Sequence, residues 1–155
     1  NTMTINTNAN KSIQNWNSFS VGSGGVVQIN QPNASSIMLN RVTGGAMSQI
    51  YGTINSNGGV WLVNPQGIYF GPGSVVNAGS VLLSTLNITD SSFSSNGPYT
   101  FTPSGGSGTI GLDGSIQASS LVAIAPRLLA SHRIHRVCHR ETQRPRLSLE
   151  TPHGV

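Results

Sequence analysis

Between Gly58 and Thr85 the chain reads G-G-V-W-L-V-N-P-Q-G-I-Y-F-G-P-G-S-V-V-N-A-G-S-V-L-L-S-T, and this stretch restricts the fold more than any other. It holds three short apolar runs: Val60 to Val63, Ile68 to Phe70, and Val75-Val76 leading on to Val81 to Leu83. Each is β-branched or aromatic at most positions, and each is stopped by Asn, Pro or Gly. Such side chains fit a pleated strand, and the stopping residues supply turn dihedrals. No run is long enough for a helix, and glycine recurs too often for one to persist. The centre of the chain is therefore predicted to be strand, turn, strand, turn, with little chain given to each corner.

The flanking sequence continues in the same style. Ile13, Trp16 and Phe19 punctuate an Asn-rich opening, read as an irregular strand and a corner that buries Trp16. Val26 to Asn30 and Ser36 to Val42 are predicted strands. The second carries apolar residues on both faces, as in a strand covered on both sides or near a bend. Gln49 to Ser56 is a further strand, ended by the Asn57-Gly58 turn signal.

Gly, then Ser or Thr, then Ile or Val recurs at 52–54, 73–75, 79–81, 108–110 and 114–116. The 21 residues from 52 to 73, and the 62 from 52 to 114, fit a step near 20 residues. A step of that size with short strands and Gly or Asn corners marks a solenoid whose coils stack as parallel strands. Chance recurrence in a Gly- and Ser-rich chain is the alternative, and the spacing and turn residues favour the solenoid. Some six coils, spaced about 4.8 Å apart, are expected, a rod on the order of 30 Å long. Residues 87–107 interrupt the repeat. Tyr99 and Phe101, after an Asn96-Gly97-Pro98 turn, are read as a hairpin or loop on the outside of the rod, covering an edge or offering a surface contact.

Charge separates two regions. Up to Pro126 the charged side chains are Lys11, Arg41, Asp90 and Asp113, which cancel. The net +4 arises wholly from the six Arg and two Glu beyond, where all four His and Cys138 also lie. The expected organisation is a neutral domain over 1–126 and a basic tail over 127–155 outside the fold. The tail has the pattern of a weak basic helix, and His135, Cys138 and His139 lack the second Cys pair of a zinc site. A neutral body gives nucleic acid no electrostatic footing. No run approaches the roughly 18–20 apolar residues of a membrane span. The chain opens at Asn1 without an initiator Met or a signal-peptide pattern, as expected of a mature or trimmed fragment.

Catalysis finds little material. General acid–base chemistry needs titratable groups placed together, and the body offers two isolated acids and no His. Its serines lack the His of an activated nucleophile. The Gly-rich runs at 22–25 and 105–108 lack the strand, helix and Lys of a phosphate loop. No enzyme activity, cofactor or metal is expected. The sharpest local feature is Asn64-Pro65-Gln66-Gly67, in which Pro65 presets φ, Gly67 permits positive φ, and Asn64 bonds its own backbone.

The runs N-R-V-T-G at 40–44, S-Q-I-Y-G-T-I at 48–54, G-G-V-W-L-V-N-P-Q-G-I-Y-F-G at 58–71 and L-L-S-T-L-N-I at 82–88, with I-Q-N-W-N-S-F-S-V-G at 13–22, resemble the amino-terminal secretion domain of filamentous haemagglutinin-type exoproteins. The resemblance covers about residues 5–126. It implies an all-β, right-handed parallel β-helix with an N-terminal antiparallel cap. It also implies a role in two-partner secretion. The domain would address an adhesin-like exoprotein to its outer-membrane transporter, whose periplasmic POTRA-type domains are the implied partner, and would seed folding outside the cell. Gln66 stands where the family motif N-P-N-G-I has Asn. Asn40, Arg41, Asn64, Pro65, Gln66, Gly67 and Ile68 are the implied recognition residues. The alternative is a secreted or cell-surface adhesion module that touches a host glycan or protein through flat polar faces and Tyr99 and Phe101. A polysaccharide-cleaving β-helix is a weaker third reading, opposed by the missing acids.

Overall fold

A computed structural model describes residues 1–106 and 108–130. The chain winds around three faces in turn. The first rung comprises β1 (Thr2–Asn6) and β2 (Lys11–Trp16), with Val21 bridging in parallel to the rung below. The second has β3 (Val26–Asn30), β4 (Ile37–Val42) and β5 (Ser48–Ile50). The third has β6 (Thr53–Ser56), β7 (Gly59–Val63) and β8 (Ile68–Phe70). The fourth begins with β9 (Val75–Asn77) and β10 (Ser80–Ser84). The chain then leaves the coil through β11 (Asn87–Ile88), the helical turn α1 (Asp90–Ser94) and β12 (Phe101–Thr102), and rejoins it at β13 (Thr109–Leu112). The last described rung is β14 (Ser115–Gln117), β15 (Leu121–Ile124) and β16 (Arg127–Ala130). The first-face sheet is β1-β3-β6-β9-β14, the second β2-β4-β7-β10-β15 and the third β5-β8-β13-β16. Every pairing within these three sheets is parallel, so the fold is a β-helix.

Register lines up the interior. Val27, Ile54, Val76 and Ile116 stack on the first face, and Met38, Val60, Val81 and Leu121 on the second. Ile50, Phe70, Leu112 and Ala130 stack on the third. These rows form one buried core. Each Val, Leu, Ile, Phe or Met side chain so buried contributes about 1.5–3 kcal/mol. Among the described residues no helix is long and apolar enough to cross a membrane.

Several expectations need correction. The first rung is no antiparallel cap: β1 pairs parallel with β3 and β2 parallel with β4. The corner at 7–10 sends the chain onto the next face rather than back along β1. Among the described residues antiparallel pairing is confined to β11 and β12. The step is uneven. On the first face Val26, Thr53, Val75 and Ser115 stand in register, giving steps of 27, 22 and 40 residues. The 62 residues from 52 to 114 are thus two coils plus an excursion, and the described residues form five rungs instead of six, about 19 Å along the axis. Gln49 to Ser56 is two strands broken at Tyr51-Gly52. Trp16 is only half-buried, and Phe19 takes the interior position. The coil also passes Pro126: β16 pairs with β13 and turns Leu128 and Ala130 toward the core. The rest of the proposed tail, its helix pattern and His135, Cys138 and His139 lie outside the described residues.

Gly52 and Gly114 show why the repeat begins with glycine. Both sit at the corner between third and first faces. A Cβ on Gly52 would press into the carbonyl oxygens of Gly25 and Gly22 one rung earlier. A Cβ on Gly114 would press into Ser74.

Candidate functional site

The Asn64–Ile68 corner joins β7 to β8. The Gly67 N–H donates to the Asn64 carbonyl at 3.0 Å, closing the turn. The Gln66 N–H donates to Asn64 Oδ1 at 2.9 Å, and Gly67 has φ of 120°. The Asn64 amide donates in turn to the Ala46 carbonyl and to Ser48 Oγ, both at 3.0 Å, in the corner one rung before. On the other side the Gly108 N–H donates to the Pro65 carbonyl at 3.1 Å. Asn64 and Ile68 are wholly buried, Gly67 is buried, Pro65 is half-buried, and only Gln66 is exposed. The corner is thus a stacked brace whose folded surface is the Pro65-Gln66 edge.

Asn40 and Arg41 lie on opposite sides of β4. Asn40 points inward and is fully buried. Its Oδ1 accepts from Trp16 Nε1 at 3.0 Å, and its amide donates to the Trp61 carbonyl at 3.3 Å. Arg41 points outward onto the excursion. It donates to the Ile88 carbonyl at 2.6 Å, Asn87 Oδ1 at 3.2 Å and Asn15 Oδ1 at 2.9 Å, and pairs with Asp90 at 2.8 Å. Asp90 is 68% exposed, so screening leaves that ion pair about 0–1 kcal/mol.

Residues 87–102 form a strap over the outer surface of the second face. Leu39, Trp61, Val63, Leu82, Ile88 and Phe93 make a second buried cluster, with Tyr99 and Phe101 packed against it. Trp61 is its hub, with edge-on contacts to Phe93 (5.2 Å) and Tyr99 (5.0 Å) and Phe101 at 6.1 Å. Covering on both sides explains why every residue of Gly59–Val63 is buried. Lys11 closes the strap's far end, donating to the Phe93 and Ser95 carbonyls and to Tyr99 Oη. Its ammonium also lies 5.0 Å from the Tyr99 ring centre. Tyr99 and Phe101, expected as an edge cover or a surface contact, thus pack half-buried against Trp61. Thr89 caps α1 through the Ser92 N–H, and Phe93 anchors it.

The two acids stand apart. Asp90 serves Arg41, and Asp113 accepts from Tyr69 Oη at 2.9 Å. That hydrogen bond holds the Tyr69 phenol above its ordinary pKa of 10.0, with desolvation and the negative charge of Asp113 adding to it. The protonated phenol is the bonded form, so this contact stabilises the fold below pH 10.0 and is lost as pH rises through the folded value. Following tyrosinate absorbance should show a tyrosine that ionises above the ordinary value of 10.0, and Asp113→Asn should bring it back down. Among the described residues no three His, Cys, Asp or Glu gather as metal ligands.

A family model for the TPS secretion domain matches residues 1–135. The chain belongs to this family. Similar proteins include two Haemophilus influenzae proteins named heme/hemopexin-binding protein. One is 37% identical over 97 residues and the other 38% over 100, covering 63% and 64% of this chain. The chain spans only 11% of the length of each. The crystal structure of the HMW1 secretion domain from Haemophilus influenzae is similar with a TM-score of 0.73 and 30% identity, over 78% of this chain and 36% of that one. The TPS secretion domain is a secretion-targeting module of large exoproteins, with an outer-membrane transporter as implied partner, and its β-helix is non-enzymatic in kind. The match also runs past Pro126.

Proposed function

We propose that this TPS domain is read by its outer-membrane transporter as an extended chain, and that folding then hides the recognised residues. The observation that carries this reading is the burial of the motif. Asn64 and Ile68 are wholly inside the folded corner, and Asn40 is wholly inside the second rung. A partner that reads those side chains meets them before the coil closes. The periplasmic POTRA-type domains of the transporter can pair with an extended segment by strand addition, which uses backbone groups and few side chains. Outside the cell the rungs close and later coils stack on them, as solenoids propagate from a seed. The destination is the medium or the cell surface, and the domain itself performs no catalysis.

The test separates recognition from folding. Asn64→Ala with Pro65→Ala should cut export about tenfold, equivalent to about 1.4 kcal/mol of lost transporter affinity. It should also weaken binding of the urea-unfolded domain to the purified periplasmic part of the transporter. Ser48→Ala removes a folded-state partner of Asn64 and leaves 64–68 intact, so it should spare that binding. Unchanged export in the double variant removes the recognition role and leaves the turn.

A further inference from the structure

The three faces of the β-helix are unequally furnished. The strap covers the second. Across the first, Thr4, Gln28, Asn55, Asn77 and Gln117 stand in register as an outward polar row without charge. The amides partly satisfy one another, as in the 2.9 Å bond from Asn77 to Asn55. The third face differs. Among the described residues, three of the four exposed large apolar side chains, Met47, Tyr51 and Leu129, belong to it or to its edges.

At its border with the first face stands an aromatic pair. Tyr51 and Tyr69 meet edge to face with centroids 6.0 Å apart. Each ring lies against a glycine one rung on: Tyr51 over Gly71 and Tyr69 over Gly111. Any Cβ at those glycines would collide with the ring, so the backbone leaves the aromatics their seats. Asp113, at the same corner, is oriented by the phenol of Tyr69 at 2.9 Å. That bond uses one carboxylate oxygen and leaves the other without a side-chain partner among the described residues.

We propose that this corner, Tyr51, Tyr69 and Asp113 with the adjoining amide row, binds a neutral glycan. The chemistry selects the ligand. An aromatic ring takes the C–H face of a sugar, and a fixed carboxylate accepts from a pair of adjacent hydroxyls. Amide side chains on the next face both donate and accept, as hydroxyl-rich ligands require. Among the described residues the sole charge at the corner is negative, which disfavours nucleic acid, sulfated and sialylated chains. Arg127 sits at the other end of the third face, level with Thr109. This site is independent of transporter recognition, since none of its residues belongs to the Asn64–Ile68 corner.

Titration of the full chain with lactose, followed by amide NMR shifts, tests the assignment. Saturable shifts are expected at Gly71, Gly111 and Asp113, with affinity falling about tenfold in Tyr51→Ala and in Asp113→Asn, the scale of one lost stacking or charged contact. Tyr69→Phe keeps the ring and frees the carboxylate, so it should weaken binding less than Asp113→Asn. A sulfated oligosaccharide should give no shifts there. The proposal is overturned if neither lactose nor maltotriose saturates, or if the shifts fall on other residues. It is equally overturned if Asp113→Asn, shown folded by its amide spectrum, binds unchanged. Self-association of the free chain that Tyr51→Ala abolishes would instead assign the corner to a second copy, and would also overturn it.

Discussion

Trp61→Ala is expected to lower the unfolding free energy by about 3–5 kcal/mol, the usual cost of removing a buried indole. Trp61 is 6% exposed and touches Phe93, Tyr99 and Phe101, so its loss opens a cavity at the centre of the strap's contact. The inner rows do not include it, and the coil should survive. The expected signature is therefore twofold: a lowered denaturation midpoint, and new protease cleavage within 87–102 under conditions where the rungs remain intact. An uncut strap with an unshifted midpoint would show that Trp61 is not the strap's principal anchor and that Lys11, Arg41 and the remaining apolar contacts suffice.

Gly52→Ala should produce the second largest effect, about 1–3 kcal/mol, the cost of forcing an extra carbon into a packed site. The obstacle is the backbone of the preceding rung, at the carbonyls of Gly22 and Gly25, so no side-chain rotation relieves it. The Gly25 carbonyl also accepts the Thr53 N–H at 2.9 Å, and displacement would disturb the pairing of β3 with β6. Gly45→Ala is the control, since a Cβ there meets nothing within 4 Å. Equal denaturation midpoints for the two variants would mean that the corner relaxes freely.

The strands were legible because their edges are chemical. Val26–Asn30 and Ile68–Phe70 end where the sequence places Asn, Gln or Gly, and the observed bounds agree. The two-sided apolar pattern of β4 is also accounted for: Met38 faces the core and Leu39 the strap cluster. What escaped was non-local. Lys11 bonds residues 82 to 88 positions away, a relation no local pattern carries. The excursion lengthens one coil by about a coil's worth of chain, so a single period fitted across it miscounts the rungs. The turn α1 has the sequence D-S-S-F-S, poor in helix formers, and depends on the Thr89 cap and the burial of Phe93. Asn40 and Arg41 stood out by resemblance, and their observed partners are Trp16, Trp61 and the strap. Tyr51 and Tyr69 were passed over. The signal available for them was a tyrosine on the open face of consecutive coils, each with a glycine one coil later.

The strap's reach has a consequence for the order in which the fold closes. The opening rung is paired along its backbone as soon as β3 and β4 are in place, but its Lys11 ammonium gains the Phe93, Ser95 and Tyr99 partners only when the strap has closed. Opening the closed strap must first pull the Trp61 indole and the Phe93 ring out of contact, so the clasp that joins the first rung to residues 87–102 is held by aromatic burial as well as by the ammonium.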